Sequence, residues 1–368
     1  MKVLHVLGEL NPSGAEVMLR EAATLWKEKE IKSTILSTGE KEGVFKDVLV
    51  SAGYDVKHIA FSKSFKYFFD FYKFIKGNEF DVIHIHTERA NIIYSLIAKL
   101  AKGKKVIRTI HSMFEFKGGL RVRKIIERVG VRLLNVKQVS IGNLVQQNEE
   151  NRFKNKTQVI FNWINTSKFK VVSSEVKKNY KEKLGISDET FVFVSIGNCS
   201  EVKNHTEIIK AMDLLINEQK YTNFLYLHVG KEDICKSERE LVEGLGLEEY
   251  VRFMGFVEDV RPILYASNLF LMPSLYEGFG IAGLEALSTG LPCVFTDKSG
   301  LLEFKPYMNE ITYINPCSEE IKEVIQSYLS GERKIDQQQL ELNAQVAHNT
   351  FDVTKGAKEY MEIYGVRL

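Results

Sequence analysis

Short β-branched runs alternate with amphipathic helical stretches along almost the whole chain, a rhythm that leaves few options besides parallel sheets clad in helices. KVLHVLG (2–8) reads as a buried strand, and the segment after it places Ala15, Met18, Leu19, Ala22, Ala23 and Trp26 on one helical face. IKSTILST, DVIHIHT, KVIRTIHS, QVSIG and TQVIFN continue the series. The pattern pauses near Asn162 and restarts at FVFVSIGN (191–198), running on through FLYLHVG, VRFMGF, LFLMPS and PCVFTD. A chain of 368 residues also exceeds a single core, which stops growing at about 250–300 residues. The expectation is therefore two doubly wound, Rossmann-like domains, 1–165 and 166–345, facing a cleft. A helical tail, 346–368, is expected to cross back to the first domain. The last helices, roughly 318–364, have no further strands to cover and are expected to pack across the joint.

Charge divides the same way. Residues 1–165 carry 28 Lys+Arg against 17 Asp+Glu, and the remainder carries 22 against 31. Halves of opposite sign point to different partners. No helix-turn-helix, RNA-binding or zinc signature accompanies the basic half, so nucleic acid is not expected. The N-terminus lacks the pattern of a signal peptide, and no run reaches the ~18 apolar residues of a membrane span. A cytoplasmic protein is expected. Cys199, Cys235, Cys293 and Cys317 lie far apart without a CxxC pair, which reads as buried thiols rather than a zinc or disulfide framework.

The richest chemistry lies in LFLMPSLYEGFGIAGLEALSTGLPCVFTD (269–297). A strand leads into a glycine-rich turn, and a helix begins near Ile281. Gly278 and Gly280 let backbone approach a ligand, and a helix N-terminus offers N–H groups to phosphate. Glu277 in the turn and Glu285 in the helix reach one ligand from two sides, and carboxylates suit vicinal hydroxyls. GFGIAG is also a literal G-x-G-x-x-G with Asp297 about 20 residues on, so an NAD-linked nucleotide-sugar oxidoreductase is an alternative. Against it, LYE separates the strand from the first glycine.

EGFGIAGLEALSTGLP resembles the E-x7-E signature of the family 4 retaining glycosyltransferases, which have the two-domain GT-B fold. Other segments follow that family in order. PSGAE (12–16) is similar to its N-terminal loop at the donor phosphates, RTIHS (108–112) to the segment with its active-site histidine, and VIFNWINTSKF (159–169) to its hinge. GNCSEVKNH (197–205) resembles its phosphate-binding stretch and GFVED (255–259) its base-contacting turn.

The resemblance implies a role for each matching residue. Lys203 would neutralise the donor diphosphate, Glu285 hold the ribose and Glu277 the donor sugar. The backbones of Gly14, Gly278, Phe279, Gly280 and Ile281 would line the donor phosphates, and that of Val257 the base. His111 would contact the sugar in transfer. No metal or other cofactor is implied, because cationic side chains and helix dipoles stabilise the leaving diphosphate. Attack would come from the face the diphosphate leaves, with a hexose-type UDP-sugar favoured as donor. The acceptor would be a glycan or lipid-linked sugar of envelope, capsular or exopolysaccharide synthesis. Two departures stand out: Asn198 replaces the arginine partner of Lys203, and Trp163 replaces the hinge glycine. The first motivates another alternative, an inactive scaffold of the same fold, unless Arg89 or Arg108 supplies the missing charge.

Two further features bear on the acceptor half. His84 and His86 share a strand face, but with no third ligand in view a metal is not expected there. His86 and Glu88 instead suit the acceptor side. In GLRVRKIIERVGVRLLN (119–135), Val122, Ile125, Ile126, Val129 and Leu133 lie on one face and Arg121, Lys124, Arg128 and Arg132 on another. Such a helix reads as a membrane-surface binder, as a core-packed helix with a solvated face, or as both, with the apolar face packed inward and the arginines held toward an anionic membrane at its inner side.

Overall fold

The computed structural model describes all residues except 102, 104, 219–220, 233–236 and 367–368, so Cys235 lies outside the described residues. The chain divides into two compact units, Met1–Asn165 with Phe351–Leu368, and Thr166–Thr350. The tail thus rejoins the first unit at 351, five residues later than its sequence pattern indicates.

The first unit runs β1 (Lys2–Leu7), α1 (Gly14–Glu28), β2 (Lys32–Ser37), α2 (Lys46–Ala52), β3 (Asp55–His58), α3 (Phe65–Asn78) and β4 (Val82–Ile85). It continues through α4 (Asn91–Leu100), β5 (Lys105–Ile110), α5 (Gly118–Leu133), β6 (Lys137–Ser140), α6 (Asn143–Phe153) and β7 (Gln158–Val159). Its sheet is parallel, ordered β3-β2-β1-β4-β5-β6-β7. Strand alternation divides the core in two. Leu4, Val6, Ile83 and Ile85 face α3, α4 and Val131 of α5. Val3, Leu7, Val82 and Ile107 face the α1 layer.

The second unit runs α7 (Ser174–Lys183), β8 (Phe191–Ile196), α8 (His205–Asn217), β9 (Phe224–Val229), α9 (Ser237–Gly244), β10 (Val251–Gly255) and α10 (Arg261–Ala266). It continues through β11 (Leu269–Met272), α11 (Ile281–Ser288), β12 (Cys293–Thr296), β13 (Ile311–Ile314), α12 (Ser318–Leu329) and α13 (Gln337–Phe351). Its sheet is parallel too, ordered β10-β9-β8-β11-β12-β13. The strand β13 precedes the final helical stretch, and Ile321 and Ile325 of α12 pack into the core of this sheet with α8. The expectation that every late helix lacks a sheet to cover therefore fails for α12.

The last helix, α14 (Val353–Tyr364), belongs to the first unit and packs on α1 through Ala357, Tyr360, Met361 and Tyr364. Ile164 and Val353 hold its start by two backbone bonds, Ile164 N–H to Phe351 O at 3.1 Å and Val353 N–H to Ile164 O at 2.9 Å. Trp163 fills the layer beneath. Its Nε1 donates to Met18 O at 3.1 Å, and a Cβ on Gly356 would sit 2.2 Å from its ring.

The helix α5 reverses its expected orientation. Its buried residues are Lys124, Glu127, Arg128 and Val131, whereas Val122, Ile126 and Leu133 are 57%, 64% and 80% exposed. The reason is a buried ion-pair network. Arg128 forks onto Glu149 at 2.7 and 2.6 Å and reaches Glu88 at 3.3 Å, and Lys124 reaches Glu88 at 3.0 Å and Glu127 at 2.8 Å. Once Glu88 and Glu149 are placed at this edge, leaving them unpaired costs more than exposing a few aliphatic side chains.

Candidate active site

In doubly wound sheets ligands bind outside the carboxyl ends of the strands where strand order reverses. The first unit reverses between β1 and β4, the second between β8 and β11. Each switch point carries a group of the residues singled out above.

At the first, a pocket of about 580 Å³ is lined by Gly8, Ser13, Glu16, His86, Arg89 and His111, among others. Gly14 opens α1 beside it. Strand pairing sets His5 opposite His84, and His86 lies two residues on, so all three point to the α1 face. The rings form a chain: His5 Nδ1 to His86 Nε2 at 3.2 Å, then His86 Nδ1 to His111 Nε2 at 2.9 Å. His84 instead bonds Tyr364 and Thr109, both at 2.7 Å. Burial holds all four imidazoles below their ordinary range, His5 at about 3 and His111 at about 4. With both nitrogens of His86 engaged, a change of tautomer at His111 propagates to His5. His86 is thus the middle of a relay that also touches the pocket.

Glu16 lies in the same pocket, at 5% exposure. Burial raises its carboxyl to about 7, against the pull of the Ser13 hydroxyl it accepts from. A carboxyl titrating near neutrality is suited to proton exchange. Neither Glu16 nor His5 was singled out from the sequence. The only signal was Glu16's place inside PSGAE.

Glu88, expected on the acceptor side, is already paired. It lines the pocket, but Arg108, Lys124 and Arg128 hold its carboxylate. Burial pushes its carboxyl up, and those three cations together bring it below the usual range. Arg108, at 1% exposure, is committed to Glu88 and Gln138 and is no reserve charge for a diphosphate. Arg89 stays at the pocket wall, its guanidinium 5.0 Å from the Phe61 ring centre.

At the second switch point, Gly197 and Asn198 follow the end of β8, and the loop 273–280 follows β11. Lys203 Nζ meets Glu277 Oε1 at 2.6 Å, joining the two loops. The backbone reinforces the junction, with Leu275 N–H donating to Val202 O at 2.8 Å and Gly300 N–H to Glu277 O at 3.0 Å. Gly280 caps α11 at φ +88°, and a Cβ there would stand 2.6 Å from Leu301. Only glycine fits comfortably. Ile281 opens α11, and Glu285 lies one turn inside it, half-buried. Gly278 is close-packed too, since a Cβ on Gly300 would touch its carbonyl at 2.5 Å.

Three expected donor residues take a narrower form. The Phe279 ring is buried edge-on to Phe304 at 5.4 Å, so only its backbone is available to a ligand. Asn198 is exposed, and its Oδ1 accepts from Lys231 N–H at 2.9 Å, so its side chain braces the next loop and brings no charge. Val257 stands in the loop after β10. The dinucleotide fingerprint finds no support here, because Pro273–Glu277 separate the end of β11 from Gly278.

Comparison with known proteins accounts for both halves. The family model described as Glycosyltransferase Family 4 matches residues 12–197, half of the chain, and that described as Glycosyl transferases group 1 matches residues 176–347. The chain belongs to glycosyltransferase family 4. A family relative is the Escherichia coli UDP-Gal:alpha-D-GlcNAc-diphosphoundecaprenol alpha-1,3-galactosyltransferase, 28% identical over 259 residues, 66% of this chain and 65% of that enzyme. The matched stretch thus falls just short of two thirds of that relative. The Staphylococcus aureus capsular polysaccharide biosynthesis glycosyltransferase CapH is 24% identical and aligns over 99% of this chain and 98% of its own. Among solved structures, Anabaena HepE in complex with UDP and glucose superposes with a TM-score of 0.83 at 20% identity, covering 100% of both chains. The fold of this family member is GT-B, two parallel-sheet α/β domains.

Proposed function

We propose that the protein is a retaining glycosyltransferase that moves a hexose-type sugar from a UDP-sugar to a glycan or lipid-linked acceptor in envelope or capsular polysaccharide assembly. The observation that carries this reading is the Lys203–Glu277 junction beside the N-terminus of α11, which puts a cation, a carboxylate and a glycine-capped helix start at one switch point. Lys203 and the first N–H groups of α11 hold the diphosphate, Glu285 the ribose hydroxyls, Glu277 the sugar and the Val257 backbone the base. The bond from the anomeric carbon to the phosphate oxygen breaks, and a bond to the acceptor oxygen forms on the same face. The acceptor proton passes to the leaving phosphate. His111, Glu16 and Arg89 line the acceptor side. The reaction needs no metal at the diphosphate, because the positioned charges supply the stabilisation. Names of relatives support the donor and acceptor classes, since HepE binds UDP and the Escherichia coli enzyme uses UDP-Gal and a diphosphoundecaprenol-linked sugar.

Thermal stability against UDP, GDP, ADP and NAD tests the donor. A rise with UDP that Lys203→Ala abolishes supports the reading. A rise with NAD alone returns the oxidoreductase, and no rise with any nucleotide leaves the inactive scaffold.

The same reading places the enzyme on an anionic membrane through α5. No helix among the described residues is long and apolar enough to cross a membrane. The contact instead uses the outward Val122, Ile126 and Leu133, flanked by exposed Arg121, Arg123 and Arg132. Apolar side chains enter the interface while the cations meet lipid phosphates, each worth about 1 kcal/mol near an anionic surface. Flotation with anionic and neutral vesicles tests it, and equal partitioning in both removes the electrostatic part.

A further inference from the structure

A second cluster of ligand-type side chains lies in the unit that holds Lys203 and Glu277, below the loop 197–205. Cys199 follows β8, His205 opens α8, His228 is in β9 and Glu238 is in the first turn of α9. All four side chains are buried, and one ligand atom from each lies within 4.8 Å of the other three. Five of the separations are 3.7 Å (Cys199 Sγ to His228 Nε2), 3.0 Å (Cys199 Sγ to Glu238 Oε2), 3.2 Å (His205 Nδ1 to Glu238 Oε1), 3.1 Å (His205 Nδ1 to His228 Nε2) and 3.5 Å (His228 Nε2 to Glu238 Oε2). A tetrahedral zinc ion with bonds of about 2.0–2.3 Å sets its ligand atoms roughly 3.3–3.6 Å apart. With Glu238 Oε2 as its ligand atom, the separations of 3.0, 3.1, 3.5 and 3.7 Å match that figure to within about half an ångström.

Hydrogen supply argues against a purely hydrogen-bonded cluster. His205 Nδ1 and His228 Nε2 face each other, so protons on both would collide. At most one hydrogen lies between them, and His228 Nε2 also faces Cys199 Sγ at 3.7 Å and Glu238 Oε2 at 3.5 Å, so this buried nitrogen lone pair points at other acceptors. A cation at the centre converts all four lone pairs into bonds.

We propose that Cys199, His205, His228 and Glu238 form a structural divalent-metal site, with zinc the preferred ion. Thiolate and imidazole ligands in tetrahedral array favour zinc over magnesium or calcium, and four protein ligands leave no open position for substrate. On binding, the Cys199 thiol loses its proton to solvent. The ion's two positive charges then balance one thiolate and one carboxylate, leaving a neutral centre where the free site carries the Glu238 charge. The metal ties both ends of the segment 199–205, which carries Lys203, to β9 and α9. This inference does not depend on glycosyl transfer. Sequence spacing hides the site because its ligands come from four separate elements.

The test uses the full-length protein, stripped with chelator under reducing conditions and reloaded with Zn²⁺ or Co²⁺. The expected result is one zinc per chain retained through gel filtration and a rise in Tm on loading. The cobalt form shows the intense visible bands of a tetrahedral site and a sulfur-to-cobalt charge-transfer band. Cys199→Ser abolishes the charge-transfer band, whereas Cys293→Ser and Cys317→Ser keep it. His205→Asn, a second variant should the first fail to fold, weakens zinc binding by more than the roughly 10–100-fold typical of outer-shell changes. Wild-type protein that retains no zinc and gives no tetrahedral cobalt spectrum in excess Co²⁺ overturns the proposal. So does a charge-transfer band that survives Cys199→Ser.

Discussion

Lys203 Nζ lies 2.6 Å from Glu277 Oε1, and both side chains are mostly buried, so the cation proposed for the diphosphate is already paired with the carboxylate proposed for the sugar. The pair pre-orients both groups, and a donor has to share Lys203 with Glu277.

Lys203→Ala removes the phosphate cation and leaves Glu277 without its counterion. The pair is intermediate between an exposed bridge, worth about 0–1 kcal/mol, and a fully buried one, whose breaking costs about 3–5 kcal/mol. A stability loss of about 1–3 kcal/mol is expected in urea titrations. The double variant Lys203→Met/Glu277→Gln recovers most of that stability but not UDP binding. Recovery of both would show that Lys203 only serves the fold.

Glu285→Ala is expected to weaken UDP-sugar binding by about 1.5–3 kcal/mol, the contribution of a hydrogen bond to a charged group. Calorimetric titration reads this directly, and unchanged affinity removes Glu285 from the donor site.

The histidine relay gives the first unit a defined acid response. The folded pKa values of His5 and His111, about 3 and about 4, lie below the ordinary value of 6.5, so the unfolded chain binds more protons between those limits. Stability therefore falls as pH drops from 6.5 toward 4, at roughly 1.4 kcal/mol per pH unit for each such histidine. Glu16 acts in the opposite sense. Its folded pKa of about 7 exceeds the unfolded 4.5, so its contribution is present below 4.5 and lost as pH rises through 7. Denaturant titrations across pH 4–8 on His5→Phe and Glu16→Gln should flatten the acid limb and the neutral limb respectively.

The two faces of α5 should respond in opposite ways to substitution. Ile126→Ser and Leu133→Ser change stability by about 0.5 kcal/mol or less, as surface sites do, and lower partitioning to anionic vesicles. Arg128→Met leaves the fully buried Glu149 short of its forked partner and costs about 3–5 kcal/mol. Circular dichroism melts and flotation on the same preparations separate the two.

Trp163→Gly removes an indole packed against Tyr360 and bonded to Met18. A loss of about 3–5 kcal/mol is expected, with earlier proteolytic release of α14. Wild-type melting in this variant would show that α14 does not depend on the indole.

Much of the fold was legible because its signals are local. Strand runs such as KVLHVLG and FVFVSIGN bury both faces, which leaves continuous apolar segments, and the glycines before Ile281 announce a turn at a strand end. The strands β3 and β13 were missed. DVKH carries two charged residues in four and ITYI is isolated among helices, so neither has the run of a central strand.

Sequence by itself determined the two parallel-sheet units, the β11–α11 loop and the residues that line it, because periodicity and turn chemistry act over a few neighbours. Tertiary structure alone decided which partner each polar group takes. The side chains of α5 read as an inward apolar face and an outward basic one, and Glu88 and Glu149 from other elements reversed them, since buried charge must be paired. Likewise Cys199, His205, His228 and Glu238 are ordinary one by one, and only the packing of α8, β9 and α9 around the loop after β8 brings a ligand-type atom of each within 4.8 Å of the others.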